Sequence, residues 1–137
     1  LRQPRELGDL RSEIVAMRKK MLDGHPNNST LFDIKHDRGG MVDIEFMVQF
    51  LVLAYSNQYK QLAAHKGNLA LLRRAGEYEL IDSGQAETIS NIYRKLRETQ
   101  HKMRLNNVSL CRIEPSQIDT KPVLSMWDNL LGQNIGS

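Results

Sequence analysis

Leu31 to Tyr59, LFDIKHDRGGMVDIEFMVQFLVLAYSNQY, is the segment whose reading decides the fold. It opens as a short apolar run, Leu31-Phe32-Asp33-Ile34, crosses a charged turn containing Gly39 and Gly40, and enters the longest strongly apolar stretch of the chain. At helical spacing from Met41, residues Met41, Ile44, Val48, Leu51 and Tyr55 make one apolar stripe, and Val42, Phe46, Phe50 and Leu53 make another. Only Glu45, Gln49 and Ser56 form a polar strip. A helix apolar over most of its circumference needs protein on several sides, so the stretch is predicted to be the central helix of a bundle. Asp43, Glu45 and Gln49 interrupt it too often for a membrane span, which needs about 20 mostly apolar residues.

Working outward, the turn before that helix admits two readings. Successive glycines can turn backbone N–H groups toward one point, and the helix start adds unpaired N–H groups and a positive dipole end. With Lys35 and Arg38 just before it, this suits an anion such as a phosphate, or an acidic neighbour. The plainer reading is a tight turn, with Asp43 as a first-turn acid and Lys35 and Arg38 solvated. Asp43 and Glu45 resemble a D-x-E metal pair. Two positions apart on a helix means about 200° of rotation, so they cannot share a metal by themselves. Each can still assist a site completed by another domain.

Lys35-His36-Asp37-Arg38-Gly39-Gly40-Met41-Val42-Asp43-Ile44-Glu45-Phe46, followed by Val48-Gln49-Phe50-Leu51-Val52-Leu53, resembles the K-x-x-R-G-G-x-x-D-I-E-F segment of bacterial bifunctional glutamine synthetase adenylyltransferases (adenylyl-removing enzymes). A looser form occurs in the uridylyltransferases of the signalling protein PII. Arg18-Lys19-Lys20-Met21 and Tyr93-Arg94-Lys95-Leu96-Arg97 also fit the family pattern. The resemblance implies an all-α helical bundle that follows a nucleotidyltransferase domain and packs on it, supporting ATP-dependent transfer of AMP to a tyrosine of glutamine synthetase in nitrogen assimilation. It implies Lys35, Arg38, Gly39, Gly40, Asp43 and Glu45 as nucleotide or domain-interface support, and ATP and Mg as cofactors held mainly by the catalytic domain. Implied partners are that upstream domain, glutamine synthetase and PII. A regulatory module that binds PII or glutamine synthetase without a role at the nucleotide is the alternative.

Nucleotidyltransferases of this superfamily use a G-S motif and a D-x-D on a strand, since two metal ions clamp the transferring phosphate. The only Gly-Ser here is Gly136-Ser137, and there is no P-loop or G-x-G-x-x-G. No catalytic residue is therefore assigned in this chain, and by itself it is expected to be inactive.

The flanking segments are predicted as five to six helices in one domain spanning 1–137, with a short extended piece before the central helix. The first helix should run from Pro4 to Leu22 with a seam of Leu7, Leu10, Ile14, Met17 and Met21, Arg18, Lys19 and Lys20 near its negative end, and a stop at Gly24 and Pro26. Residues 24–30 read as a loop. Leu31 to Lys35 alternates and should be extended and at the surface, without a strand partner elsewhere in a helical chain. Residues 60–67 read as a polar turn, with Asn68 capping a short helix, LALLRRAGEYEL, whose apolar face is Leu69, Leu72 and Tyr78. Asp82 or Ser83 should cap the longest helix, whose seam is Ala86, Ile89, Ile92 or Tyr93, Leu96, Thr99 and Met103. Residues 109–120 read as a connection, and Thr120 should cap a last helix with Pro122 in its first turn and Val123, Met126, Trp127, Leu130 and Leu131 on its apolar face. The tail QNIGS reads as a chain terminus, which by resemblance favours the carboxy-terminal, AMP-attaching half of the enzyme.

A formal charge of +3 is mildly basic. Arg94, Lys95, Arg97, Lys102 and Arg104 line one helical face, but without aromatic interleaving this reads as a solvated or partner-facing surface rather than a nucleic-acid site. The four histidines show no metal spacing, the single Cys111 excludes a disulfide within the chain, and no signal or membrane segment is seen, so a cytoplasmic location is expected.

Overall fold

The computed structural model describes residues 4–59, 62, 67–108 and 110–132. Its elements are α1 (Pro4–Asp23), β1 (Phe32–Asp33), α2 (Met41–Tyr55), α3 (Asn68–Glu77), α4 (Ser83–Leu105), β2 (Arg112–Ile113), a 3-10 turn (Pro115–Gln117) and α5 (Lys121–Leu130). The all-α expectation holds: the described residues form five helices and one pair of two-residue strands.

The double-glycine segment feeds α2, which packs against α1, α3, α4 and α5 and buries Met41, Val42, Ile44, Met47, Val48, Phe50, Leu51, Val52 and Ala54. Its apolar circumference is therefore matched by neighbours on most sides. Leu53 is the exception: at 40% exposure it lies beside exposed Gln49 instead of in the second stripe. Most of the remaining core comes from Leu10, Ile14 and Val15 of α1, Leu71, Leu72 and Ala75 of α3, Ala86, Ile89, Tyr93 and Leu96 of α4, and Val123, Met126 and Trp127 of α5, with Ile34, Leu62, Ile81 and Leu131 added from between and after the helices. α3 and α4 pack closely at Gly76, where a Cβ would come within 2.9 Å of the Ala86 methyl. No described helix is long and apolar enough to cross a membrane.

Several expectations are corrected. Met17 is exposed at 47%, and fully buried Arg18 takes its place in the α1 seam. Leu10, Ile14, Arg18 and Met21 are spaced as helically as Leu10, Ile14, Met17 and Met21. The seam thus contains a charge because its counter-charge lies opposite.

Extension in the Leu31–Lys35 segment covers only Phe32–Asp33, and it has an antiparallel partner in the chain: Phe32 pairs with Ile113 and Asp33 with Arg112. The Ile34 amide also donates to the Cys111 carbonyl at 3.0 Å. Ile34 is fully buried, so the segment is not a surface strand. The stretch read as a connection supplies β2 and a 3-10 turn whose Glu114 and Gln117 form a reciprocal cap.

Cap assignments shift as well. Gly67, not Asn68, precedes α3, and the Asn68 amide is free to donate to the Tyr93 hydroxyl at 3.1 Å. Of the two candidates Asp82 and Ser83, Asp82 caps α4, accepting from the Gln85 amide. Thr120 precedes α5 without a side-chain cap, and Asp119 accepts from the Lys121 amide in its stead. Tyr93, not Ile92, takes the buried position of the α4 seam. The polar turn at 60–67 lies outside the described residues except for buried Leu62 and exposed Gly67, and the tail 133–137 lies outside them entirely.

Candidate functional site

Residues 33–37 are held as a tight turn by side-chain bonds of the kind Asp and Asn favour. Asp33 Oδ1 accepts from the Lys35 and His36 amides at 2.9 and 3.0 Å. Asp37 Oδ2 accepts from the Asp33 amide and from the Asn27 side chain, at 2.9 and 2.8 Å. The turn then lays its own carbonyls over the start of α2. Met41 N–H donates to Ile34 O at 2.8 Å and Val42 N–H to Lys35 O at 3.0 Å, so two donors that an anion would use are taken by the chain itself.

The two glycines do different jobs. Gly39 has φ +88, a conformation side chains resist, and a Cβ there would stand 2.5 Å from Thr120 Cβ. Gly40 has an ordinary φ of −92, but a Cβ would meet the Ile34 carbonyl oxygen at 2.6 Å. Backbone conformation matters at the first glycine and space at the second.

An anion does sit at this turn, and it is Asp43. Its side chain is fully buried. Oδ1 accepts from Arg18 Nε at 2.5 Å, and Oδ2 accepts from Arg38 Nε at 3.0 Å and from the Gly39 amide at 2.7 Å. Arg18, also fully buried, donates through Nη2 to the His36 carbonyl at 2.6 Å. Arg38 is only 11% exposed, and its guanidinium lies 5.2 Å from the centre of the fully buried Trp127 ring. The carboxylate thus joins α1, the double-glycine turn, α2 and, through Trp127, α5. Arg38 is not solvated, and its Nε is committed to Asp43. Such a donor set does not by itself make a magnesium site at this turn: both Asp43 oxygens are engaged, and no cluster of three His, Cys, Asp or Glu side chains suited to a metal exists among the described residues.

Glu45 lies on the other side of α2. Its Oε2 accepts from the Tyr93 hydroxyl at 2.8 Å, and that hydroxyl accepts from Asn68. Burial, reinforced by the Glu45 carboxylate, pushes the Tyr93 phenol up to about 12, so it remains a donor throughout the working pH range. The Arg97 guanidinium stands 5.8 Å from the Tyr93 ring centre. Glu45 is half-buried, and its Oε1 has no partner among the described residues. The helical prediction that the D-x-E carboxylates face different ways is therefore seen directly.

Lys35 is half-buried and serves the turn through its backbone. The structure brings Arg38, Gly39, Gly40 and Asp43 together, leaves Glu45 apart with Tyr93, and adds Arg18. Periodicity missed Arg18 because an arginine scores as polar; its place on the α1 seam was the available signal. Tyr93 was an alternative seam residue, and nothing in the sequence linked it to Glu45.

A family model described as GlnD PII-uridylyltransferase matches residues 10–109. The bifunctional glutamine synthetase adenylyltransferase/adenylyl-removing enzyme of Nitrosomonas europaea is 55% identical over 104 residues, covering 76% of this chain and 11% of that protein. Proteins of the same description from Ralstonia nicotianae and Burkholderia mallei are 51% and 42% identical over 134 residues, covering 96% of this chain and 14% of each relative. The chain thus spans 11–14% of the length of these relatives.

Proposed function

We propose, on the premise that this chain belongs to the bacterial glutamine synthetase adenylyltransferase and PII-uridylyltransferase family as one of its helical domains, that it docks on the nucleotidyltransferase domain of the same polypeptide. From there it supports ATP-dependent transfer of AMP to a tyrosine of glutamine synthetase. ATP and Mg belong to the catalytic domain in this reading, the helical domain alone transfers nothing, and the parent enzyme is cytoplasmic and answers to PII.

The observation that carries this reading is the bracing of Asp43. The family segment's turn is fixed from three sides by Arg18, Arg38 and Gly39, so its backbone is preorganised without any ligand. A rigid turn at the head of the most enclosed helix is suited to receive another domain in one orientation. Of the two roles considered for Lys35, Arg38, Gly39, Gly40, Asp43 and Glu45, this geometry favours interface support over direct nucleotide contact.

Hydrogen exchange on the full-length enzyme tests it. Added ATP should protect residues 35–45 by tightening the catalytic domain against them. Protection only with PII, and away from 35–45, would favour a purely regulatory module.

A further inference from the structure

Resting on that reading, we infer that the strip of α2 at Glu45 and Gln49 is the seat of the nucleotidyltransferase domain, with Tyr93 as the positioning residue that aims Glu45 at a basic side chain of that domain. α2 is walled by four helices, and Gln49 is exposed on the side left open. On that side Glu45 offers one oxygen already bonded and one without a partner. Its direction is fixed, because Tyr93 is buried and its hydroxyl proton is directed by two bonds: Asn68 donates to the oxygen, which leaves the hydroxyl to donate to Glu45 Oε2 at 2.8 Å. A half-buried carboxylate with a free oxygen is best matched by a guanidinium or ammonium group.

The size of the strip selects the occupant. A separate protein needs about 800 Å² per partner for a stable interface, more than two or three residues supply. A domain tethered in the same polypeptide works at roughly millimolar effective concentration, so a contact too small to hold a separate protein still biases its orientation. The relatives carry ample polypeptide for this, since the chain covers only 14% of those matched over 134 residues.

The full-length enzyme carrying Gln49→p-benzoylphenylalanine should, on irradiation, cross-link position 49 to a Lys- or Arg-bearing peptide of the nucleotidyltransferase domain. Glu45→Gln, which keeps an acceptor for Tyr93 but loses the charge, should cut the cross-link yield and slow AMP transfer about tenfold. It should also flatten the salt dependence of transfer, and Tyr93→Phe should act in the same direction more weakly. A cross-link confined to residues 1–137, one to a second polypeptide, or an unchanged salt dependence in Glu45→Gln would each overturn the inference. Should ATP still protect residues 35–45 while the cross-link fails, the docking reading stands and this seat alone is wrong.

Discussion

Asp43 and Glu45 are two residues apart on one helix, are both acidic, and have opposite surroundings. Asp43 is enclosed by two arginines and an amide and holds four elements together, whereas Glu45 is held at one oxygen by a tyrosine and leaves the other open. The difference teaches that the segment is not one structural unit. Its R-G-G-x-x-D part folds inward to fix a backbone, and its E faces outward from the scaffold so made. Substitutions that break the first should cost stability, and those that break the second should cost activity.

The largest effect is expected at Arg18. Arg18→Met removes one partner of a fully buried pair, leaving Asp43 with less compensation, and should lower stability by about 3–5 kcal/mol in urea denaturation. Adding Asp43→Leu should recover part of that loss, because removing both charges is less harmful than stranding one. A loss under about 1 kcal/mol in the single variant would show that the brace is not what fixes the turn.

Gly39→Ala comes next, at about 2–4 kcal/mol, since it combines a positive φ with a Cβ 2.5 Å from Thr120 Cβ. The double variant with Thr120→Gly separates the two causes: it relieves the crowding and leaves the backbone strain. Full recovery in the double variant would mean that φ contributes nothing.

Arg38→Ala should cost about 1.5–3 kcal/mol, from one charge-assisted bond to a buried carboxylate and a stacking contact with Trp127. Any loss of AMP transfer in the full-length enzyme should then track the lowered Tm. A large fall in kcat at unchanged Tm would return Arg38 to the nucleotide and contradict the inward assignment.

How much of this was legible beforehand depends on the range of the interaction. The central helix could be read from Met41 to Tyr55 because periodicity is local and its apolar residues recur on nearly every side. The Asp82 cap was legible for the same reason, its acceptor lying three residues from the donor. Arg18 was not, because a buried charge is stabilised by a residue 25 positions away that no helical pattern contains. Nor was the Phe32–Ile113 pairing, since two residues per strand carry no alternation to detect and the partners are joined only through the fold. At the candidate site the fold brings Arg38, Gly39 and Gly40 to Asp43, all within one stretch of sequence, yet which of them face inward is fixed by Arg18 and Trp127, both outside the segment.

On the outward side, Glu45→Gln should leave stability within about 1 kcal/mol of the parent, because the amide oxygen still accepts from Tyr93. Compared with Arg18→Met this is the sharpest contrast the molecule offers. Loss of more than about 2 kcal/mol would make Glu45 a second brace and erase the distinction.

The smallest expected effect lies on the border between the two sides, at His36. Its carbonyl belongs to the brace, accepting from Arg18, while its ring stacks on His25 with centroids 3.8 Å apart and lies 3.3 Å from Asp33 Oδ2. Burial lowers the His36 pKa below the ordinary 6.5; Asp33 pulls it back up, and the His25 and Lys35 charges push it further down. A depressed folded-state pKa means the unfolded chain binds the proton more readily, so stability is fully present above pH 6.5 and declines as pH falls through the lowered value. Tm should therefore fall between neutral and mildly acid pH, and His36→Gln should flatten that decline. His25→Gln removes a stacked ring whose charge disfavours the proton, so in that variant an NMR titration should find the His36 pKa raised toward 6.5. A parent His36 that titrates above 6.5 would instead mean that Asp33 dominates, and the acid-side decline in Tm would then have to be sought in other groups.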